Sequence, residues 1–215
     1  MKVDSVLIVG SGSAGLIAAL SLKKKLPHLK VIVVSSSRLG IIGVGEGTVP
    51  YVVNFIHQYL GMDECRFFQE VDPVYKLGVR LNWGSRDYFD YTFSQNQWAF
   101  QAPDLGRPSG FFAQHGHHGI DLPGALMEHK NALPTRGAGF PDLPPAGSLV
   151  AWHLENKSFV AWLDRACEEA GVTMIDGEIE SVEQADDGSV KRLLLRDGRR
   201  LSAALFVDAS GFRSE

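Results

Sequence analysis

The stretch V-D-S-V-L-I-V-G-S-G-S-A-G, residues 3–15, decides the fold. Its first seven residues are rich in β-branched types and read as a buried strand. The next six form a glycine turn that opens into a helix, with Leu16, Ala19, Leu22 and Leu26 along one stripe. Lys23, Lys24 and Lys25 fall in its last turns, where cations suit the negative helix end. Pro27 stops it. Residues 31–34, V-I-V-V, make a second wholly apolar strand. The start of the chain is therefore β-α-β with both strands apolar on both faces. A parallel sheet covered by helices has that pattern.

The turn Gly10-Ser11-Gly12-Ser13-Ala14-Gly15 is G-x-G-x-x-G in its proper setting, after a strand and opening a helix. Gly10 permits the tight turn, Gly12 lets the backbone approach a pyrophosphate, and Gly15 allows close helix–strand packing. The helix N-terminus offers unpaired N–H groups to the phosphates. The plain alternative is a tight strand-to-helix turn with no ligand. One element departs from the dinucleotide pattern. The end of the second strand usually carries Asp or Glu for the ribose hydroxyls; here it is Ser35, followed by Ser36, Ser37 and Arg38. A hydroxyl can bond a ribose oxygen, less strongly than a carboxylate. Arg38 could instead receive a 2′-phosphate. The glycine motif alone leaves FAD and NADP open.

Composition bounds the rest. The chain has 215 residues, 45% hydrophobic and 21% charged, which suits a soluble globular protein with its own core. The formal net charge of −4, with no strongly basic segment, disfavours nucleic-acid and anionic-membrane surfaces. Two cysteines, Cys65 and Cys167, make no disulfide framework and fit a reducing cytosol. No run of about 18 apolar residues suggests a membrane span, and the N-terminal stretch leads into a helix instead of a cleavage site.

Farther along, a glycine-rich crossing (residues 40–50, G-I-I-G-V-G-E-G-T-V-P) leads into a helix. That helix is expected to be capped near Thr48, with Pro50 in its first turn and Gly61 at its stop. Residues 74–81 alternate as one strand, with Tyr75, Leu77, Val79 and Leu81 on one face and Lys76, Gly78 and Arg80 on the other. A partner strand over 88–93 would close a hairpin. Residues 94–148, rich in Gly, Pro, Asn and His with a short helix near 122–130, read as a cover over a site. Order resumes with a strand at 150–154 and a helix from Asn156 to about Gly171. A β-meander is expected over 178–184, 190–195 and 201–207, turned at Asp187-Gly188 and Asp197-Gly198. The last strand runs into D-A-S-G-F at 208–212.

Four segments together resemble the N-terminal part of the flavin-dependent tryptophan halogenases: G-S-G-S-A-G at 10–15, G-V-G-E-G-T-V-P at 43–50, Y-K-L-G-V-R-L-N-W at 75–83 and D-A-S-G-F-R at 208–213. The H-L-E-N-K segment at 153–157 sits where family members have a His-led strand-to-helix junction. The resemblance implies an FAD-binding, Rossmann-like α/β fold with a parallel sheet, a β-meander and a substrate-side insertion. The FAD lobe would be discontinuous, 1–50 with 149–215, and 51–148 would be the insertion. It implies reduced FAD as cofactor and a halide ion and O2 as co-substrates. Oxygen would convert the flavin to its hydroperoxide, and halide attack would release hypohalous acid. That acid would travel through a tunnel to tryptophan or another indole-like aromatic.

Lys76 matches the family's catalytic lysine, which engages the hypohalous acid; from alternation alone it would be a solvated strand lysine. Gly78 is expected to leave space beside it. The implied cofactor residues are Gly10, Gly12, Ser13, Ala14, Gly15, Ser35, Gly43, Gly45, Glu46, Asp208 and Gly211. Gly43, Gly45 and Glu46 lie in the strap that joins the flavin and substrate regions. A separate flavin reductase would supply FADH2. A homodimer is left open, and neither nucleic acid nor membrane is expected. The family's later motifs, including W-x-W-x-I-P, are not found in these 215 residues, so the chain is expected to be part of a longer halogenase. Two other readings stand beside this one. One is an FAD/NADPH hydroxylase or reductase on the same scaffold; the other is a non-catalytic flavin-binding remnant. His115, His117 and His118 read as a solvated loop, no metal is expected, and Trp98, Phe111 and Phe112 are candidate pocket residues.

Overall fold

Val6, Leu7 and Ile8 are at most 1% exposed, because the strand they form lies inside a sheet covered on both faces. The structure is a computed structural model and describes residues 3–38, 45–84, 87–93, 124, 126–127, 129–130 and 150–211. In chain order the strands are β1 (Ser5–Val9), β2 (Lys30–Ser35), β3 (Glu46–Gly47), β4 (Val74–Lys76), β5 (Gly78–Leu81), β6 (Phe89–Thr92), β7 (Ala151–Leu154), β8 (Thr173–Asp176), β9 (Ile179–Gln184), β10 (Val190–Leu195), β11 (Arg200–Leu201) and β12 (Leu205–Asp208). The helices are α1 (Ser13–Lys25), α2 (Pro50–Asn54), α3 (Glu64–Val71) and α4 (Asn156–Glu169).

Two compact units emerge, Met1–Val44 with Asn156–Glu215, and Gly45–Glu155. The first is α/β. Its parallel sheet has the order β12-β1-β2-β8. The two central strands are the two apolar runs read from sequence. Helix α1 buries Gly15, Leu16, Ala19 and Leu20. Leu26, placed on that stripe by periodicity, is the C-cap and 41% exposed. The Lys23 ammonium donates to the carbonyls of Pro27 and Leu29 just beyond the helix. α4 packs on α1, and the Cys167 thiol donates to the Leu16 carbonyl at 3.4 Å. Burial pushes that thiol up to about 12, so Cys167 is inert packing rather than a nucleophile.

The meander is β11-β10-β9, but its third strand is not the continuous 201–207 expected. Arg200–Leu201 pairs with β10, whereas Leu205–Asp208 crosses to pair with β1 in the parallel sheet. The apolar run over these residues serves two sheets, a switch that periodicity alone does not mark. β8 was not singled out by sequence and supplies the opposite edge.

In the second unit, residues 74–81 also split. β4 joins the sheet β3-β7-β4, while β5 pairs with β6 in a separate hairpin. Leu77, 7% exposed, is the joint between them. The strands at 46–47 and 151–154, grouped by sequence with the first lobe, form their ladder with β4 here. Helix α2 begins after Val49 rather than Thr48. Residues Phe55–Tyr59 continue it as a π-helical turn, with the Leu60 N–H bonding the Phe55 carbonyl, and Gly61 at φ +64 follows. Helix α3, absent from the sequence reading, is capped by the Asp63 carboxylate, which accepts from the Arg66 N–H at 2.6 Å. Its Phe67 packs against Trp152 of β7 at 4.4 Å between ring centroids, with His57 edge-on to both rings.

Candidate active site

At the C-terminal ends of β1 and β12 two turns meet. Gly10 has φ +105, and a Cβ there would lie 2.3 Å from the Ala209 carbonyl oxygen. A Cβ on Gly15 would lie 2.0 Å from the Gly10 carbonyl oxygen. Both positions therefore need glycine for the chain's own packing. Gly12 differs: a Cβ there would meet nothing within 4 Å. The packing of this chain does not demand that glycine, and the open space faces the start of α1. Gly12 is also the N-cap, so it contributes no side-chain cap, and no acidic residue occupies the first turn. The N-terminal N–H groups around Ser13 and Ala14 carry positive potential with no carboxylate of that turn to offset it. This is the arrangement that accepts a pyrophosphate.

The second turn is held by its own carboxylate. Asp208 accepts from the Ser210 N–H at 2.9 Å and from the Ser210 hydroxyl at 2.6 Å. The Ser210 side chain, then its backbone, hold the Asp208 carboxyl below the usual range. The Ala209 N–H bonds the Val9 carbonyl at 2.8 Å, fastening this turn to the end of β1. Gly211, at φ +74, ends it with open space about its Cα.

Ser35 ends β2, paired with Asp176 of β8. That aspartate is the residue sequence reasoning missed. Its carboxylate accepts from both the N–H and the hydroxyl of Ser37, each at 2.8 Å. These bonds, backbone first, lower its carboxyl. The carboxylate beside the end of β2 thus belongs to the neighbouring parallel strand and fastens the Ser37 turn, a long-range pairing with no local sequence signal. Arg38, the candidate for a 2′-phosphate, is ion-paired with Glu178, which also pairs with Arg196 at 3.1 Å.

In the second unit, the sheet β3-β7-β4 sets Lys76 in place. Residues directly opposite one another in an antiparallel ladder share a face. Gly47 lies opposite His153, Val74 opposite His153 and Lys76 opposite Ala151. These five residues therefore share one face, and Tyr75, Trp152 and Leu154 line the buried one. Thr48 extends the ladder on the buried side: its hydroxyl accepts from the Trp152 N–H at 2.8 Å and donates to the Trp152 carbonyl at 3.2 Å. The Lys76 ammonium reaches across β7, over the small Ala151, and donates to the Thr48 carbonyl at 3.0 Å. It also stands 5.6 Å from the centroid of the Phe93 ring.

Gly78 does not make the room beside Lys76. A Cβ there would lie 2.3 Å from the Tyr91 carbonyl oxygen and 2.9 Å from Met127 Sδ, so its glycine serves the β5–β6 hairpin. The room comes from Gly47, whose Cβ would lie 3.4 Å from Lys76 Nζ. Gly45 leads into the same strand, and Glu46 is its first residue. Gly43, His115, His117, His118, Trp98, Phe111 and Phe112 lie outside the described residues, as does most of the cover read over 94–148. Trp162, 2% exposed, is core.

The family model for tryptophan halogenase matches residues 5–215. The chain belongs to the tryptophan halogenase family. It is 27% identical to tryptophan 7-halogenase RebH of Lentzea aerocolonigenes, over 99% of this chain and 43% of that protein. Among solved structures it is similar to MibH, a lanthipeptide tryptophan 5-halogenase, with a TM-score of 0.79 and 34% identity over 98% of this chain and 40% of that one. It is also similar to Xcc4156, a flavin-dependent halogenase from Xanthomonas campestris, with a TM-score of 0.75 and 30% identity over 99% of this chain and 43% of that one. The chain spans less than half the length of these halogenases.

Proposed function

We propose that the protein is an FADH2-dependent halogenase acting on an electron-rich aromatic, with tryptophan or another indole-like compound as the substrate class. The observation that carries the reading is the placement of Lys76. Its ammonium is anchored at 3.0 Å to the Thr48 carbonyl beside a glycine, on the non-core face of a sheet. An ammonium has three N–H donors; the Thr48 carbonyl takes one, and two remain to bind the oxygen of hypohalous acid.

Gly10, Gly12, Ser13, Ala14 and Gly15 would hold the FAD pyrophosphate at the start of α1. Ser35 would bond the ribose, Asp208 and Gly211 would line the same strand ends, and Gly43, Gly45 and Glu46 are the remaining residues assigned to the cofactor. The uncrowded space at Gly12 fits this assignment. When bound, reduced FAD supplies the electrons that turn O2 and a halide ion into hypohalous acid and water. Lys76 then polarises the O–X bond by donating to oxygen. The aromatic carbon takes the halogen and loses its proton, and the oxygen leaves as water after gaining one. A separate flavin reductase supplies FADH2, and the enzyme works in a reducing cytosol. Among the described residues no helix is long and apolar enough to cross a membrane.

The test is an assay of the protein at its natural length with a flavin reductase, FAD, NADH, oxygen, bromide or chloride, and tryptophan or indole. Halogenated product that requires both halide and FAD supports the reading. NADPH consumption with hydroxylated product and no halide dependence would replace it with the hydroxylase.

A further inference from the structure

The serines Ser35, Ser36 and Ser37 end β2 and follow it, where a dinucleotide site more often has a carboxylate. Serine side chains fix a turn only weakly by themselves. Here the order comes from β8. The Asp176 carboxylate accepts from the Ser37 N–H on one oxygen and from the Ser37 hydroxyl on the other, both at 2.8 Å. The Gly177 N–H bonds the Ser35 carbonyl at 2.8 Å. Asp176 is held in turn, because the Arg199 guanidinium donates to its backbone carbonyl. On its other side β2 is tied to the glycine turn: the Gly10 N–H bonds the Val34 carbonyl at 2.8 Å. Val34 and Ser35 thus send their carbonyls to opposite neighbours, and Ser35 stands between the proposed pyrophosphate turn and Asp176. These bonds use the Ser35 backbone and leave its hydroxyl outside them.

We propose that Asp176 is a positioning residue for the adenosine half of FAD and acts through the turn Ser35–Ser37. This rests on the flavin reading above. The Asp176 oxygens are turned to Ser37, so the carboxylate orders the turn, and the Ser35 hydroxyl is the group presented to the ribose. A hydroxyl bonds a ribose oxygen less strongly than a carboxylate does. A weak partner contributes most to affinity when it is already ordered before the ligand arrives. The bonds from β8 supply that order. They let a serine serve at a strand end where a carboxylate is usual.

The experiment titrates the flavin-free protein at its natural length with FAD and, separately, with ADP, which carries adenosine and pyrophosphate without the flavin. Wild type, Asp176→Ala, Ser37→Ala and the double variant are compared by calorimetry, with a thermal melt of each. Asp176→Ala should lower FAD and ADP affinity by the same factor, roughly three- to tenfold, the size of losing one hydrogen bond. Ser37→Ala loses only the hydroxyl bond and should lower both affinities by a smaller factor; it carries the test if Asp176→Ala does not fold. The double variant should bind no more weakly than Asp176→Ala, because the two residues act as one unit. Unchanged affinities overturn the inference, with or without a lower melting temperature, since the bonds would then serve the fold alone. A loss of FAD affinity that ADP does not share overturns it too, as does full additivity in the double variant. In these cases wild-type FAD binding leaves the flavin reading standing. A wild type that binds neither FAD nor ADP overturns that reading, and the inference with it.

Discussion

The Lys76 ammonium bonds the Thr48 carbonyl at 3.0 Å from the far side of an intervening strand. The link ties the strap that begins at Gly45 to the strand bearing the proposed catalytic group. It depends on Thr48 being held in register, which its hydroxyl does by bonding both backbone groups of Trp152. Thr48→Val removes the acceptor for the buried Trp152 N–H. The expected cost is about 1–3 kcal/mol of stability, read by denaturant unfolding, with a fall in halogenation. Thr48→Ser should keep both. An unfolding midpoint unchanged in Thr48→Val would show that the hydroxyl contributes nothing.

Gly47 is the residue that gives Lys76 its room. Gly47→Val would place branched carbon against an ammonium that now has a clearance of 3.4 Å. Product formation should drop by roughly tenfold or more, on the scale of a displaced catalytic group, while thermal unfolding shifts little, because Gly47 is exposed. Product analysis beside a melting curve checks this. Equal halogenation in Gly47→Val would move the reactive end of Lys76 away from the strap.

The three glycines of the first turn should separate by role. Gly15→Ala forces a methyl to 2.0 Å from a backbone oxygen and should cost roughly 1–3 kcal/mol or more of stability. Gly12→Ala meets nothing within 4 Å and should unfold like the wild type. Its FAD affinity should nevertheless fall roughly tenfold, because the methyl enters the space the pyrophosphate needs. Calorimetric FAD titration and thermal melts of both variants give the comparison. Undiminished FAD binding by Gly12→Ala would place the cofactor elsewhere.

The Asp208 turn should respond to acid. Hydrogen bonds from Ser210 lower the Asp208 carboxyl in the folded protein. A group with a depressed folded value contributes stability above its unfolded value, near pH 4. That contribution is lost as pH falls through the lower folded value. The turn should therefore persist at neutral and mildly acidic pH and loosen only below the ordinary aspartate range. Ser210→Ala should return the Asp208 titration toward that range, as followed by carboxyl NMR. An unchanged titration in Ser210→Ala would mean that the Ser210 side chain does not hold the charge.

Much of this was legible in the chain. Residues 3–35 announced a parallel β-α-β, since runs such as V-I-V-V have no polar face to turn to water. Asp187-Gly188 and Asp197-Gly198 marked the meander. What stayed hidden was settled by partners far along the chain. Residues 74–81 alternate without interruption, yet Leu77 divides them between two sheets because β7 and β6 compete for the two ends. The apolar stretch near 201–207 splits for the same reason. Asp176 could not be linked to Ser37 without the β2–β8 pairing, 139 residues apart in sequence. Helix α3 did carry a local signal, Asp63 three residues before Arg66, that periodicity in so short a segment did not bring out. At the site, the motif located Lys76, but only the register showed that Gly47, not Gly78, faces it.

The most direct test of the halogenase account is Lys76→Ala in the protein at its natural length, supplied with reductase, FAD, halide, oxygen and tryptophan. Halogenated product and flavin oxidation are measured in the same reaction. The account predicts loss of product to background, roughly a hundredfold or more for a removed catalytic donor, with flavin oxidation continuing at the wild-type rate. Halogenation retained in Lys76→Ala would contradict it.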